Sequence, residues 1–296
     1  MARISDTSDA NDSPSSYTAT ARFPVVYEVC ISPACLADGA ERTLEMFRAI
    51  APPHVFVQTA SCSSFCGKGP VVDQKTVQSG TVGQRTKSIR HRRVSGGKIL
   101  DLLESEGLAP EVIQGYEFVL QADEAFLVTK DYHRAVSLYE KAVSTAFGVA
   151  VEMQAERDRV AGEADKLLKT ESGNTRKTRL TQAPLGLEWL VRARRNEALA
   201  YLELDDVQAA ILAAQASCNL SRNTSTESFK VLAQAYQRKG DGQAELETLR
   251  AMFAVPLSVD ENGNDISDES SLPSQQQNER RTLRFRMTKL EKDLVK

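Results

Sequence analysis

Four of the five cysteines come in two pairs, Cys30-Ile-Ser-Pro-Ala-Cys35 and Cys62-Ser-Ser-Phe-Cys66. A thiolate is a soft ligand, and four of them suit a tetrahedral zinc or a two-iron cluster. Zinc ribbons favour tight pairs with two residues between, whereas four and three intervene here. The spacing of the plant-type ferredoxin run is also absent. A dithiol redox site needs Cys-x-x-Cys at a helix start, where the thiol pKa falls. Neither pair has it. Metal ligation by Cys30, Cys35, Cys62 and Cys66 is therefore the leading reading, with a structural cysteine module as the alternative. Cys218 sits in an Ala-rich segment (AILAAQASCNL) and reads as a small buried hydrophobe.

The elements around the pairs decide where the thiols stand. Residues 23–29 (FPVVYEV) alternate as a strand that ends at Cys30. A loop through Pro33 and Cys35 follows. Asp38 is a candidate cap for a helix running to about Ile50, with Ala40, Leu44, Phe47 and Ile50 on one face. Pro52-Pro53 stops it. Residues 54–58 (HVFVQ) form a second strand leading to Cys62. Both pairs thus follow strand ends on one edge of a βαβ unit, where sites are expected. Val71-Val72 begins a third strand, residues 74–83 read as a polar turn, and residues 85–94 as the last strand of a hairpin. Gly96-Gly97 breaks it, and residues 98–106 form a helix with Ile99, Leu102 and Leu103 inward.

With these residues on the page, segment 23–107 resembles the thioredoxin-like [2Fe-2S] ferredoxins, which include the small iron–sulfur subunit of NADH dehydrogenases and of related hydrogenases. The resemblance rests on Val29-Cys30, Cys35, Gly39-Ala40 and Cys62-x-x-x-Cys66-Gly67-x-Gly69-Pro70. It implies that Cys30, Cys35, Cys62 and Cys66 ligate one [2Fe-2S] cluster. Around such a cluster, Gly67 and Gly69 would let backbone N–H groups approach the sulfurs, Lys68 would offset negative charge, and Phe65 would exclude water. Val71-Val72 replaces the family's acidic or Asn residue after Gly-Pro. The implied activity is one-electron transfer or cluster carriage to a protein redox partner, not catalysis by the chain itself.

Beyond Pro110 the pattern is helical. Phe126, Asp131, Ala135 and Val136 share a spacing with Tyr201, Asp206, Ala210 and Ile211. Tyr236, Asp241, Glu245 and Leu246 share it too, although Glu245 stands where the others have Ala. The second and third segments lie 35 residues apart, near the tetratricopeptide period. Residues 116–254 resemble tetratricopeptide repeats, which implies a protein-interaction array. Some such domains grip a chain-terminal carboxylate with Lys, Asn and Arg from successive helices. Only Asn196 matches that pattern, so a clamp of that kind is not expected.

The domain reading is a disordered leader (1–21), a thioredoxin-like α/β domain (22–109) and all-α repeats (110–256) with an insertion at 149–181. An acidic disordered linker (257–278) and a C-terminal capping helix (279–296) follow. In that helix Leu283, Met287, Leu290 and Leu294 make a stripe.

Composition bounds the rest. A net charge of −3 over 296 residues argues against bulk nucleic-acid or membrane binding. No apolar run is long enough for a membrane span. No secretory signal is expected. The Ser/Thr/Ala-rich leader carries Asp6, Asp9 and Asp12, which transit peptides avoid. An intracellular protein is expected, with a plastid or mitochondrial address left open. Arg85, Lys87, Arg90, Arg92, Arg93 and Lys98 form an acid-free run. It reads as a solvated hairpin edge, or as a dock for an acidic partner through Arg90, Arg92 and Arg93. It lacks the aromatics of a nucleic-acid platform. His54, His91 and His133 are scattered, and no nucleotide-binding fingerprint is present.

Overall fold

The computed structural model describes residues 25–62, 69–78, 85–170, 187–255, 272 and 274–295. Its first part is a four-stranded mixed sheet, β1 (Val25–Cys30), β2 (Val55–Ala60), β3 (Val72–Gln78) and β4 (Arg85–His91), in the order β2-β1-β3-β4. β1 and β2 are parallel, and the other pairs are antiparallel. Helices α1 (Pro33–Ala37) and α2 (Ala40–Ile50) connect β1 to β2, and α3 (Gly96–Ser105) follows β4. The alternation of β1 explains the layering. Val25, Tyr27 and Val29 face a core shared with Leu44, Phe47 and Ile50 of α2, and Tyr27 stacks on Phe47 at 4.9 Å. The other face is polar: Glu28 accepts from Lys75 (2.6 Å) and Gln58 (2.9 Å), and Arg90 grips Asp73 with two bonds.

Several elements differ from the sequence reading. The segment at Pro33 and Cys35 is a short helix, with Pro33 in its first turn. α2 is entered through Gly39 at φ +91, so Asp38 is not its cap. The polar stretch after Val72 is strand through Gln78, not turn. Its side chains find cross-strand and helix partners, which offsets its low strand propensity: Gln74 donates to Glu106 at 2.7 Å, and His91 bonds Gln74 at 3.0 Å. Gly96 and Gly97 start α3 rather than break a strand. Leu100 takes the buried place expected of Leu102, which is half-buried.

The second part is all-α: α4 (Pro110–Glu124), α5 (Tyr132–Thr170), α6 (Glu188–Glu203), α7 (Val207–Leu220), α8 (Thr226–Lys239), α9 (Gly242–Ala254) and α10 (Ser274–Leu294). Each helix packs on the next, and α4–α6 and α6–α8 also touch, so helix pairs stack in series. Gly115 makes the first pairing close: a Cβ there would sit 2.6 Å from that of Ala146. The shared sequence spacing is a shared turn. Lys130, Asp205 and Gly240 adopt positive φ. Asp131, Asp206 and Asp241 then accept the N–H three residues on, at 3.0–3.1 Å. In the first copy Phe126 lies in a π-helical turn, Ala125–Thr129. α5 extends 39 residues, through the first part of the stretch read as an insertion. Residues 171–181 of the insertion, the leader and most of the acidic linker lie outside the described residues.

α10 starts at Ser274, within the stretch read as linker, and packs on α9. The Glu245 that broke the repeat pattern is buried, and Arg286 of α10 meets both its oxygens at 2.7 and 2.8 Å. Only Leu290 and Arg280 of α10 are buried, and a cavity of about 280 Å³ lies between α8, α9 and α10. Leu290 enters the core with Leu283 and Met287 packed beside it, Arg280 and Arg284 lie over Phe253, and Lys230–Glu279 (2.7 Å) and Arg250–Glu291 (2.8 Å) flank Glu245–Arg286. Arg286→Ala leaves a buried carboxylate alone. It is expected to lower unfolding free energy by about 1–3 kcal/mol, less than for a fully buried pair because Arg286 is partly solvated. Adding Glu245→Leu should recover most of that loss in urea unfolding. A double variant no more stable than the single one would show that this pair does not hold α10.

Candidate metal centre

Backbone pairing brings three segments to one edge of the sheet. Cys30 is the last residue of β1 and lies in register with Ala60, the last residue of the parallel β2. Cys62 follows two residues later. The Cys30 N–H donates to the Val71 carbonyl at 3.0 Å, and the Ile31 N–H to the Ala60 carbonyl at 3.2 Å. Cys30 is thus stitched between the exit from β2 and the entry to β3. Its Sγ lies 3.4 Å from Ser32 Oγ. Cys35, on α1, is buried with Sγ 3.9 Å from the Gly69 carbonyl, a weak sulfur contact.

Asp38 ties these segments. Its Oδ2 accepts the Gly69 N–H at 3.2 Å, linking the stretch after Cys35 to the stretch before β3. The Gly69 N–H thus serves a carboxylate. Glycine is required there. Gly69 has φ +77, and a Cβ would meet the Arg93 backbone at 3.0 Å. The Val94 N–H donates to the Pro70 carbonyl at 3.2 Å, and the Val94 carbonyl accepts from Thr43 of α2 at 3.2 Å. No spacing rule in the sequence pointed to the Asp38–Gly69 tie, since Asp38 before a helical run reads as a cap.

The structure brings Cys30, Cys35, Cys62 and Gly69 to this edge. Cys30 and Cys35 are buried and Cys62 is exposed. Cys66, Gly67 and Lys68 lie outside the described residues, as does Phe65. Among the described residues, no three His, Cys, Asp or Glu side chains form a group able to hold a metal. The donor chemistry fits a thiolate-bound centre, but the described thiols alone do not close one. Ile31 and Leu36 are exposed beside the buried cysteines, an apolar rim.

The basic run divides. Arg90 is engaged by Asp73, whose hydrogen bonds raise its pKa. Arg92 and Arg93 are exposed, and Arg93 reaches the cysteine edge through its contact with Gly69. Asn196 stands elsewhere, on α6, where it donates to Asp123 at 3.1 Å. Cys218 is buried in α7, and burial pushes its thiol up to about 11. The chain matches no protein-family model and no curated protein.

In metal-free, reduced protein, Cys62 is expected to react with a disulfide reagent well before Cys30, Cys35 and Cys218. Asp38→Ala should speed Cys35 severalfold and leave Cys218 unchanged, read by mass spectrometry of the labelled peptides. An unchanged Cys35 rate would remove Asp38 as the tie.

Proposed function

We propose that this chain binds one [2Fe-2S] cluster through Cys30, Cys35, Cys62 and Cys66, and that it passes electrons, or the cluster, to a protein partner recognised by its helical array. The observation that carries the reading is the register of Cys30 against Ala60, with Cys62 two residues past the end of that parallel strand. Cys35 and Gly69 meet the same edge. The β2-β1-β3-β4 order, with one parallel pair, supports a thioredoxin-like sheet. The repeated left-handed turn with its Asp cap supports a tetratricopeptide-like array.

When bound, such a cluster supplies one-electron chemistry. The chain's own residues do the rest. Burial of Cys30 and Cys35 keeps water from two of the sulfurs. Asp38 holds the two cysteine-bearing segments together. Ile31 and Leu36 offer an apolar contact, and Arg92, Arg93 and Lys98 a basic flank, for a partner that is acidic around an apolar spot.

The exposed Cys62 favours a second reading. In it the cysteine unit is structural, zinc-bound or metal-free, and the helices form a non-redox adaptor.

Anaerobically prepared protein is expected to contain iron and acid-labile sulfide in equal amounts, absorb in the visible, and give an EPR signal on reduction. Cys62→Ser should abolish all of these while circular dichroism retains the helical content. Zinc without sulfide would select the adaptor reading, and a Cys62→Ser spectrum like that of the wild type would remove Cys62 as a ligand.

A further inference from the structure

We propose that the two ends of the helical array bind each other between copies of this chain: the acidic outer stripe of α4 in one copy meets the basic outer stripe of α10 in another. The contact is independent of the cysteine centre. α4 is the first helix of the array and α10 the last, packed on α9 at the far end of the series.

The two stripes have matching lengths. Glu117, Gln121, Glu124 and Val128 are exposed at i, i+4, i+7 and i+11, along α4 and the π-helical turn that continues it. Arg281, Phe285, Lys289 and Lys292 are exposed at i, i+4, i+8 and i+11 along α10. Each stripe joins charge of one sign to a bare apolar side chain. Val128 is 74% exposed with Leu127 beside it at 66%, and Phe285 is 75% exposed. Among the large hydrophobic side chains of the described residues, only Val295 stands further into water. An aromatic ring so exposed contributes little to folding, and a contact made by the folded chain accounts for it better. The opposite charges nearest each stripe in sequence are Lys130, after Val128, and Asp293, after Lys292. The other acids of α10 are taken on its inner side, where Glu279 and Glu291 pair with Lys230 and Arg250.

The pairing works in either sense. With Val128 set against Phe285, an antiparallel crossing puts Glu124 against Lys289 and a parallel one puts it against Arg281. Both give an apolar pair beside an ion pair. A net charge of −3 sets little long-range repulsion between copies. A single phenylalanine is too narrow an apolar face to hold α10 in a lipid interface. One helix crossing is a small interface, so the association is weak, with a Kd on the order of 100 µM.

The test is sedimentation of the full chain from about 1 µM to about 1 mM. The average mass is expected to rise with concentration beyond that of one chain, and to rise less in about 0.5 M salt. Phe285→Ser and Val128→Ser should each weaken association at least about fivefold with little change in melting temperature, because both side chains face water. Charge exchange tests the pairing itself. Glu124→Lys makes both stripes basic, and Arg281→Glu with Lys289→Glu makes both acidic. Each of these variants is expected to sediment as a single chain alone, and a mixture of the two to assemble again. The proposal is overturned if the wild type stays a single chain throughout, if Phe285→Ser assembles like the wild type, or if the mixed variants do not assemble. Assembly that survives Glu124→Lys would also overturn it, by showing that α10 pairs with α10. Tighter binding to phosphatidylserine vesicles than to a second copy would overturn it too, by making α10 a membrane-facing helix.

Discussion

β1 is hydrogen-bonded on both sides by neighbours of opposite sense, β2 running with it and β3 against it. A central strand so placed leaves no free backbone edge of its own. It also makes the exit of β1, the exit of β2 and the entry of β3 coincide. The chain must cross the end of β1 to travel from β2 to β3, and Cys30 bonds to the last residue of that crossing. The edge is therefore a product of strand order. The Asp38–Gly69 bond and the Val94–Pro70 bond then fasten loops that strand pairing has already brought together.

Much of this was legible from alternation alone. Val25, Tyr27 and Val29 mark a one-faced strand, and Ala40, Leu44, Phe47 and Ile50 mark the buried face of α2. Local polarity misled where tertiary partners overrode it. Gln74 and Lys75 look like turn residues, yet Glu106 and Glu28, distant in sequence, bond them into a strand. Asp38 looked like a cap because capping and loop-tying use the same carboxylate chemistry, and only the position of Gly69 distinguishes them. Cys66 and Gly67 lie outside the described residues, so that half of the second cysteine pair stands on sequence alone.

The helical array gives the complementary case. The aromatic–Asp–Ala spacing carried real geometry, because a positive-φ residue followed by an Asp cap recurs at each turn. Glu245 looked like decay of the pattern. It is instead the point at which a later helix docks, and a small Ala there could not have held Arg286. A departure from a repeat thus marked an intramolecular contact that no repeat rule contains.

One core runs without interruption from Val25 through Ala200, and α2 of the sheet unit touches both α4 and α6. Arg157 of α5 reaches back to the Ala51 carbonyl at the end of α2. The two parts are thus braced rather than strung on a linker. A tethered pair of modules meets its targets at an effective concentration set by tether length. Here that quantity has no role, because the shared core holds the helices and the cysteine edge at one spacing and one angle.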